Sequence, residues 1–559
     1  MDYKKEYERW LKLAWEELQP ELKEMNEAAV EDAFYRDLAF GTGGLRGVIG
    51  AGTNRMNVHT VAKASQGLAD YLKGNFEAPS VVIGYDSRIK SDLFARTAAE
   101  VLAANGIRVN IWPRLLPVPT VSYAVRYLRC SAGVMLTASH NPSKYNGYKV
   151  YGPDGCQITT EAAAIILKEI EKLDIFGDIV SGSYEEFSRK GLIREIPEEV
   201  LDAFIEEIKG QSVLFGEEIK RDAAIVYSPL NGTGLEPVTR ALGEMGYTNV
   251  TLVKEQEKPD GNFPTCPYPN PEIKEAMSLG MEYAKREKAD LLLATDPDCD
   301  RVGIAVRDEK GEYVLLTGNE TGILLLDYIC SQRKKAGKMP ERPVMIKTIV
   351  TMDLAERIAA DYGVDTINVL TGFKFIGEQI GLLEKQGRES SYVFGFEESY
   401  GYLSGGYVRD KDGVNGATMI CEMFSFYAGK GISLLQKLQE IYDKYGFCRN
   451  TLHSYEFEGS AGFEKMQRIM GEFRRGYDSI GGIEVKNTLD YSAGLDGLPK
   501  SDVLKFLLDG NCSVVIRPSG TEPKLKAYIS VSAPGQKEAA VIEENIRAEL
   551  EKIFYSSEK

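Results

Sequence analysis

A chain of 559 residues with a formal net charge of −16 at neutral pH is set against nucleic acid or an anionic membrane as a general partner. At 43% hydrophobic and 27% charged residues it is ordinary globular material, long enough for roughly three to five domains. Eight scattered cysteines without a Cys-x-x-Cys pair argue against a zinc ribbon or a disulfide framework and point to reduced thiols.

The N-terminal stretch Met1-Asp-Tyr-Lys-Lys-Glu-Tyr-Glu-Arg-Trp10 holds no apolar core of signal-peptide length, and no apolar run is long enough to span a bilayer. A soluble, cytoplasmic protein is expected. Roughly the first thirty residues place Lys, Glu, Leu and Trp at helical spacing and predict an N-terminal helix. Phe40-Gly-Thr-Gly-Gly-Leu-Arg-Gly47 and Ile49-Gly-Ala-Gly-Thr-Asn-Arg-Met56 then form a glycine-rich stretch. It has neither a Gly-x-Gly-x-x-Gly register after a clear strand nor a following Gly-Lys-Ser/Thr, so a nucleotide loop is not supported. A flexible surface turn fits, and so does a loop that brings Arg46 close to an anion.

Beyond it, strand and helix alternate. Strands are predicted at 81–84, 107–111 and 132–136, with helices at 92–104 and 161–173; 146–151 continues into a Gly-Pro-Asp-Gly turn. The pattern recurs with 223–227 entering Ser228-Pro-Leu-Asn-Gly-Thr-Gly234, with 290–295 entering an acidic loop, and with a hairpin of 302–306 and 313–316. A third round runs from 344–349 to 391–396, which enters Glu397-Glu-Ser-Tyr-Gly401. Last come two strands, 512–516 and 524–531, around Arg517-Pro-Ser-Gly-Thr-Glu-Pro523, and a helix at 536–554. The expected fold is α/β: three mixed-sheet α/β domains of similar architecture at 1–210, 211–327 and 328–450, plus a C-terminal α+β domain at 451–559.

Chemistry gathers where strands end. Val134-Met-Leu-Thr-Ala-Ser-His-Asn-Pro142 is an apolar strand entering a polar turn with Ser139 at its tip, where open α/β sheets place their sites, although a plain strand-ending turn has the same composition. A serine–histidine triad finds little support: His140 is the immediate neighbour of Ser139, and only His59 and His453 lie elsewhere. In Ala294-Thr-Asp-Pro-Asp-Cys-Asp-Arg301 the carboxylates of Asp296, Asp298 and Asp300 can converge on one hard cation such as Mg²⁺. An EF-hand is excluded, because Arg301 and Arg307 stand where that loop needs Gly and Glu. A solvated acidic turn and an aspartyl-phosphate phosphatase of the haloacid dehalogenase type are the alternatives.

Arg517, with Ser519, Gly520 and Thr521, offers a guanidinium fork, hydroxyls and turn amides suited to a phosphate dianion, or else a serine-rich hairpin loop. Glu397 and Ser399 suit sugar hydroxyls, but helix capping explains the same residues and is preferred for this motif alone. Lys149 and Lys374 lie in apolar or aromatic surroundings, where a lysine either snorkels or moves protons.

Taken together, Thr137-Ala-Ser-His-Asn-Pro142, Asp296-Pro-Asp-Cys-Asp-Arg301, the Glu-Glu-Ser loop and Arg517-Pro-Ser-Gly-Thr-Glu522, in this order, closely resemble the α-D-phosphohexomutase superfamily from Gly41 to the last helix. The resemblance implies four domains around a central cleft, each giving one loop. It further implies a phosphoserine at Ser139 with an oxygen on one Mg²⁺ held by Asp296, Asp298 and Asp300. Arg301 and Arg46 would add positive charge, and Lys374 would move the hydroxyl proton, with Lys149 and His140 as alternatives. Glu397 and Ser399 would hold the sugar, and Arg517, Ser519, Gly520 and Thr521 the second phosphate.

The Glu-Glu-Ser form resembles glucose-selective members, so interconversion of glucose 1-phosphate and glucose 6-phosphate through glucose 1,6-bisphosphate is expected. The glycine-rich opening resembles a branch that also holds phosphopentomutases, which keeps a pentose, or else mannose, as the alternative sugar. A sugar phosphate is the expected partner of a monomer or homodimer. Asn231 departs from relatives that often have His there. A non-catalytic sugar-phosphate binder is the reading from another class; no catalytic position is lost to support it.

Overall fold

Apolar runs too short for a helix and closed by polar turns become buried strands of mixed sheets. Ala132–Leu136 and Leu291–Thr295 are buried at every position, as strands covered on both faces must be. The computed structural model describes residues 2–556 other than 42, 458, 496 and 519–523. They form two units: one takes everything described up to Leu316 together with Ile376–Glu389 and Tyr400–Phe426, the other takes Thr317–Phe375, Ser390–Ser399 and everything described from Tyr427 onward.

In the first unit, a seven-stranded sheet runs in the order Phe40–Gly41, Gly44–Val48, Tyr145–Tyr151, Ala132–Leu136, Ser80–Tyr85, Arg108–Ile111, Ile193–Glu195. From Ala132–Leu136 onward all neighbours are parallel, while the pairings before it are antiparallel. Helices Val58–Asn75, Ser91–Ala104 and Thr160–Glu171 cover it through a core that includes Leu68, Phe94, Leu102 and Ile166. A five-stranded sheet follows in the order Tyr313–Leu316, Val302–Arg307, Leu291–Thr295, Ile225–Ser228, Val250–Leu252, and its first two strands form the expected hairpin. The 400–426 segment is fastened within this unit: Arg409 N donates to Ser122 Oγ (2.9 Å), Tyr151 Oη donates to Asp410 Oδ2 (2.9 Å), and Gly413 N donates to Cys299 O (3.0 Å).

Two local expectations change. The single N-terminal helix is three, Tyr3–Leu13, Gln19–Glu24 and Glu27–Phe34: the chain turns extended at Ala14, Pro20 sits in the first turn of the second helix, where its missing N–H is tolerated, and Asn26 caps the third by accepting from Ala29 N (2.9 Å). The glycine-rich stretch is no surface turn: Gly44–Val48 is a strand in register with Tyr145–Tyr151. Gly44 has φ +148°, and a Cβ there would lie 1.8 Å from Tyr148 O, so only glycine permits the pairing.

In the second unit, Val344–Thr348 lies between Asp365–Val369 and Tyr392–Glu397, all parallel. The C-terminal sheet has six antiparallel strands in the order Phe447–Glu456, Lys524–Ala533, Cys512–Pro518, Leu504–Leu508, Ile483–Asp490, Ser479–Ile480. Its core joins Phe506, Val514 and Ile529 to Ile469, Phe473, Ile546 and Phe554 from helices Gly459–Arg474 and Gln536–Ser556.

Gly44→Ala is expected to cost at least about 2 kcal/mol and to lower the first unfolding transition seen by calorimetry; a variant as stable as the parent would contradict the close approach. His59 packs against Trp10 and Phe176, with ring centroids 5.4 and 5.0 Å away, and its Nε2 accepts from Trp15 N (2.9 Å). Burial pushes its pKa down to about 4. Between the unperturbed value near 6.5 and this folded value, the unfolded chain binds a proton that the folded chain refuses. Stability should therefore be lost as the pH drops from about 6.5 to about 4, by up to about 3 kcal/mol. His59→Gln should flatten this part of the stability–pH profile in urea unfolding, and an unchanged slope would count against it.

Candidate active site

The serine loop starts where buried Ala132–Leu136 ends, and its tip is held in an uncommon conformation. Ser139 has φ +53°, a left-handed value that costs a non-glycine residue about 1 kcal/mol or more and persists only where neighbours impose it. Ser139 N donates to Thr137 Oγ1 (2.8 Å), and Arg88 donates to four carbonyl oxygens of the loop, those of Ser139, Asn141, Pro142 and Tyr145.

The acidic loop starts at the end of Leu291–Thr295 in the same way, with its own left-handed residue at Cys299 (φ +51°). Thr233 donates to Pro297 O through both its N–H (2.8 Å) and its hydroxyl (2.9 Å), and a Cβ on Gly232 would meet Pro297 Cα at 2.4 Å. The Ser228–Gly234 loop is thus the bed of the acidic loop. Asn231 serves that bed: its Nδ2 donates to Lys258 O (2.8 Å) and Glu255 O (3.2 Å).

The two loops meet. Ser139 Oγ donates to Asp296 Oδ2 (3.1 Å), Thr137 Oγ1 donates to Asp298 Oδ2 (3.1 Å), and His140 Nδ1 lies 3.1 Å from Ser139 Oγ. Asp296, Asp298 and Asp300 are at most 1% exposed, and one oxygen of each lies within 4.8 Å of the others. Lys149 Nζ stands 2.9 Å from Asp298 Oδ2 and 3.5 Å from Asp300 Oδ2, and Lys411 Nζ 3.0 Å from Asp300 Oδ2. Arg301 bonds Glu272, with its Nε 3.9 Å from both Asp296 and Asp300. Arg46, exposed, reaches the serine loop through Asn141 Oδ1 (3.2 Å).

Electrostatics follow from this crowding. Burial, then the Asp298 and Asp300 charges, push the Asp296 carboxyl well above its usual range. Burial also opposes ionisation of Asp300, but Lys411, Lys149 and Arg301 outweigh it and hold that carboxyl below its usual range. Burial works against the Lys149 ammonium too, and Asp298 and Asp300 overcome it and raise its pKa. His140 is held well below its usual value by burial and by the Arg301 and Arg46 charges.

Asp298 Oδ1 and Asp300 Oδ1 are buried without a hydrogen-bond donor. Buried carboxylate oxygens of one loop, left unsatisfied and facing one another, fit a hard divalent cation. Among the described residues this is the group of carboxylates placed to hold one.

In the second unit, Glu397 ends its strand and is buried; a turn follows it, so helix capping does not explain Glu397-Glu-Ser399. Glu398 Oε2 instead accepts from Thr348 and Thr351 (both 3.3 Å). Lys374 lies with its Nζ 5.0 Å from the Phe375 ring centroid. Arg517 Nη2 donates to Tyr528 Oη (3.2 Å). Ser519, Gly520 and Thr521 lie outside the described residues.

Sequence reasoning missed Arg88 and Lys411. Arg88 had a signal, since Asp86-Ser-Arg88 follows a strand as the other site loops do. Lys411 had none: Arg409-Asp-Lys-Asp412 reads as a solvated charged turn, yet Arg409, Asp410 and Asp412 are at most 4% exposed.

Matches to known proteins follow the same architecture. Residues 37–175, 202–311 and 317–445 match the α/β/α domains I, II and III of phosphoglucomutase/phosphomannomutase. The chain belongs to this family and is an intramolecular phosphotransferase of the isomerase class. The phosphoglucomutase of Staphylococcus saprophyticus is 37% identical over 535 residues, covering 91% of this chain and 95% of the relative. That of Staphylococcus aureus is 37% identical over 552 residues, covering 95% and 97%. Parafusin, a phosphoglucomutase of Paramecium, shares the fold with a TM-score of 0.71 at 18% identity, covering 93% of this chain and 95% of its own. A Thermus thermophilus protein described as a phosphomannomutase has a TM-score of 0.70 at 22% identity, covering 92% and 99%.

Mg²⁺ should raise the melting temperature of the wild-type chain, by the linkage RT ln(1 + [L]/Kd). In the double variant Asp298→Asn, Asp300→Asn the rise should vanish. A rise of equal size in both proteins would place the cation elsewhere.

Proposed function

We propose that the chain is a phosphoglucomutase interconverting α-D-glucose 1-phosphate and glucose 6-phosphate, with Ser139 as the phosphoryl carrier. The observation that supports it most is the bond from Ser139 Oγ to Asp296, one of three clustered buried carboxylates of which Asp298 and Asp300 keep unsatisfied oxygens. The choice of sugar rests on the 37% identity with curated phosphoglucomutases.

In one half-reaction the bond from phosphorus to Ser139 Oγ breaks while a bond forms from phosphorus to the free hydroxyl of a sugar monophosphate. The hydroxyl proton leaves to a base and Ser139 Oγ regains a proton, giving glucose 1,6-bisphosphate. In the other half, Ser139 Oγ gives up its proton and takes the second phosphoryl group, and the sugar oxygen it leaves is reprotonated. Positioning and electrostatics carry most of such a transfer.

Asp296, Asp298 and Asp300, with an oxygen on Ser139, would hold Mg²⁺. When bound, the ion supplies positive charge to the transferring group. Arg301 and Arg46 add to that charge. Lys149, bonded to Asp298, serves better as a charge than as a base. Beside Asp296, His140 lies 3.1 Å from Ser139 Oγ and is suited to exchange its proton. Lys374 is assigned to the sugar hydroxyl, Glu397 and Ser399 to the sugar, and Arg517, Ser519, Gly520 and Thr521 to the phosphate that stays put. The net charge and the absence of a membrane-crossing helix among the described residues fit a cytoplasmic setting.

Purified protein assayed with Mg²⁺ and catalytic glucose 1,6-bisphosphate should turn over glucose 1-phosphate at least about tenfold faster than ribose 1-phosphate, deoxyribose 1-phosphate or mannose 1-phosphate. Ser139→Ala should retain the fold and lose turnover. Mutase activity surviving in that variant would sink the carrier role, and a faster rate on a pentose or on mannose would replace the assigned sugar.

A further inference from the structure

Arg88 is buried and touches no carboxylate of the acidic loop, yet it is fixed from every side. Its Nε faces Asp86 Oδ2 at 3.4 Å, and Asp86 is itself set by Ser91 Oγ (2.7 Å) and Arg88 N (2.9 Å). Its guanidinium lies 5.1 Å from the Phe263 ring centroid. Phe263 belongs to a segment pressed on the Arg88 loop so closely that a Cβ on Gly261 would meet Ile89 N at 2.4 Å. What remains of the guanidinium points at the serine turn: Nη1 donates to Pro142 O and Tyr145 O (both 3.0 Å), and Nη2 donates to Ser139 O and Asn141 O.

One planar cation thus satisfies four carbonyls of a turn whose tip is left-handed. Those carbonyls are separated along the chain, and only a rigid fork with donors in fixed directions can meet them together. An ammonium is a point charge with three donors and would release part of the turn.

We propose that Arg88 is a positioning residue for phosphoryl transfer, holding the 139–145 turn so that Ser139 Oγ stays on the acidic loop through both half-reactions. This rests on Ser139 being the carrier. Transfer depends on near-attack placement, and misplacement by about 1 Å costs on the order of a hundredfold in rate. The sugar is bound by other groups, so loosening the turn lowers kcat and leaves KM in place.

The test is Arg88→Lys, which keeps a cation for Asp86. We expect kcat on glucose 1-phosphate to fall about thirtyfold or more, KM to stay within about threefold, and the melting temperature to change little. Hydrogen–deuterium exchange should speed up in peptides covering 137–147 and stay unchanged in the strands 80–85 and 132–136. Arg88→Ala should be slower still and regain about fivefold or more in kcat with added guanidinium ion, which fits the vacated space.

A folded Arg88→Lys with wild-type kcat and wild-type exchange overturns the proposal. So does failure of both variants to fold, which would make Arg88 a residue of the core. Wild-type turnover and wild-type phosphorylation of Ser139, followed by intact mass, test the underlying reading separately. The exchange measurement reports on the clamp whatever the substrate.

Discussion

Three carboxylates share a dry corner of the first unit, and their mutual repulsion shapes most of what surrounds them. At 4.8 Å, two unit charges repel by about 3 kcal/mol at an effective dielectric near 20. Lys149, Lys411 and Arg301 converge on the same loop, although they come from a strand of the first sheet, from the 400–426 segment and from the loop itself. Each brings backbone with it. Fastening Lys411 to Asp300 also fastens the chain around it, and the buried state of Arg409, Asp410 and Asp412 follows.

A second constraint is geometric. The serine loop and the acidic loop each leave a strand buried at every position, so the strand cannot tilt to aim the side chain that follows it. The aiming is done by left-handed residues, Ser139 and Cys299, which turn the chain sharply at the strand end. Such residues persist only when surroundings over-determine them. Arg88 does so for one loop, and Thr233 with the close approach of Gly232 does so for the other.

What could be read from sequence divides along the same line. Ala132–Leu136 and Leu291–Thr295 were legible because an apolar run and a polar turn are local signals, and so were the serine and the acidic triad that follow them. The strand Gly44–Val48 was not: glycines announce conformational freedom, but only the position of Tyr148 O shows that the freedom is used for close pairing. The start of the second helix, Gln19–Glu24, was legible in Pro20 and went unused. Arg88 and Lys411 escaped because their partners are distant in sequence, Arg88 and Ser139 being 51 residues apart. A charged side chain near a turn reads as solvated until its partner is known.

Charge balance links the acidic loop to the chemistry. The three carboxylates face three cationic side chains, so the corner is close to neutral as it stands. A phosphoryl group on Ser139 would add about −1.5 to −2 at neutral pH, and a divalent cation would add +2. Either alone shifts the buried balance by nearly two units, whereas both together leave it almost unchanged. Desolvation makes the unbalanced states expensive. Cation and phosphoserine should therefore stabilise one another.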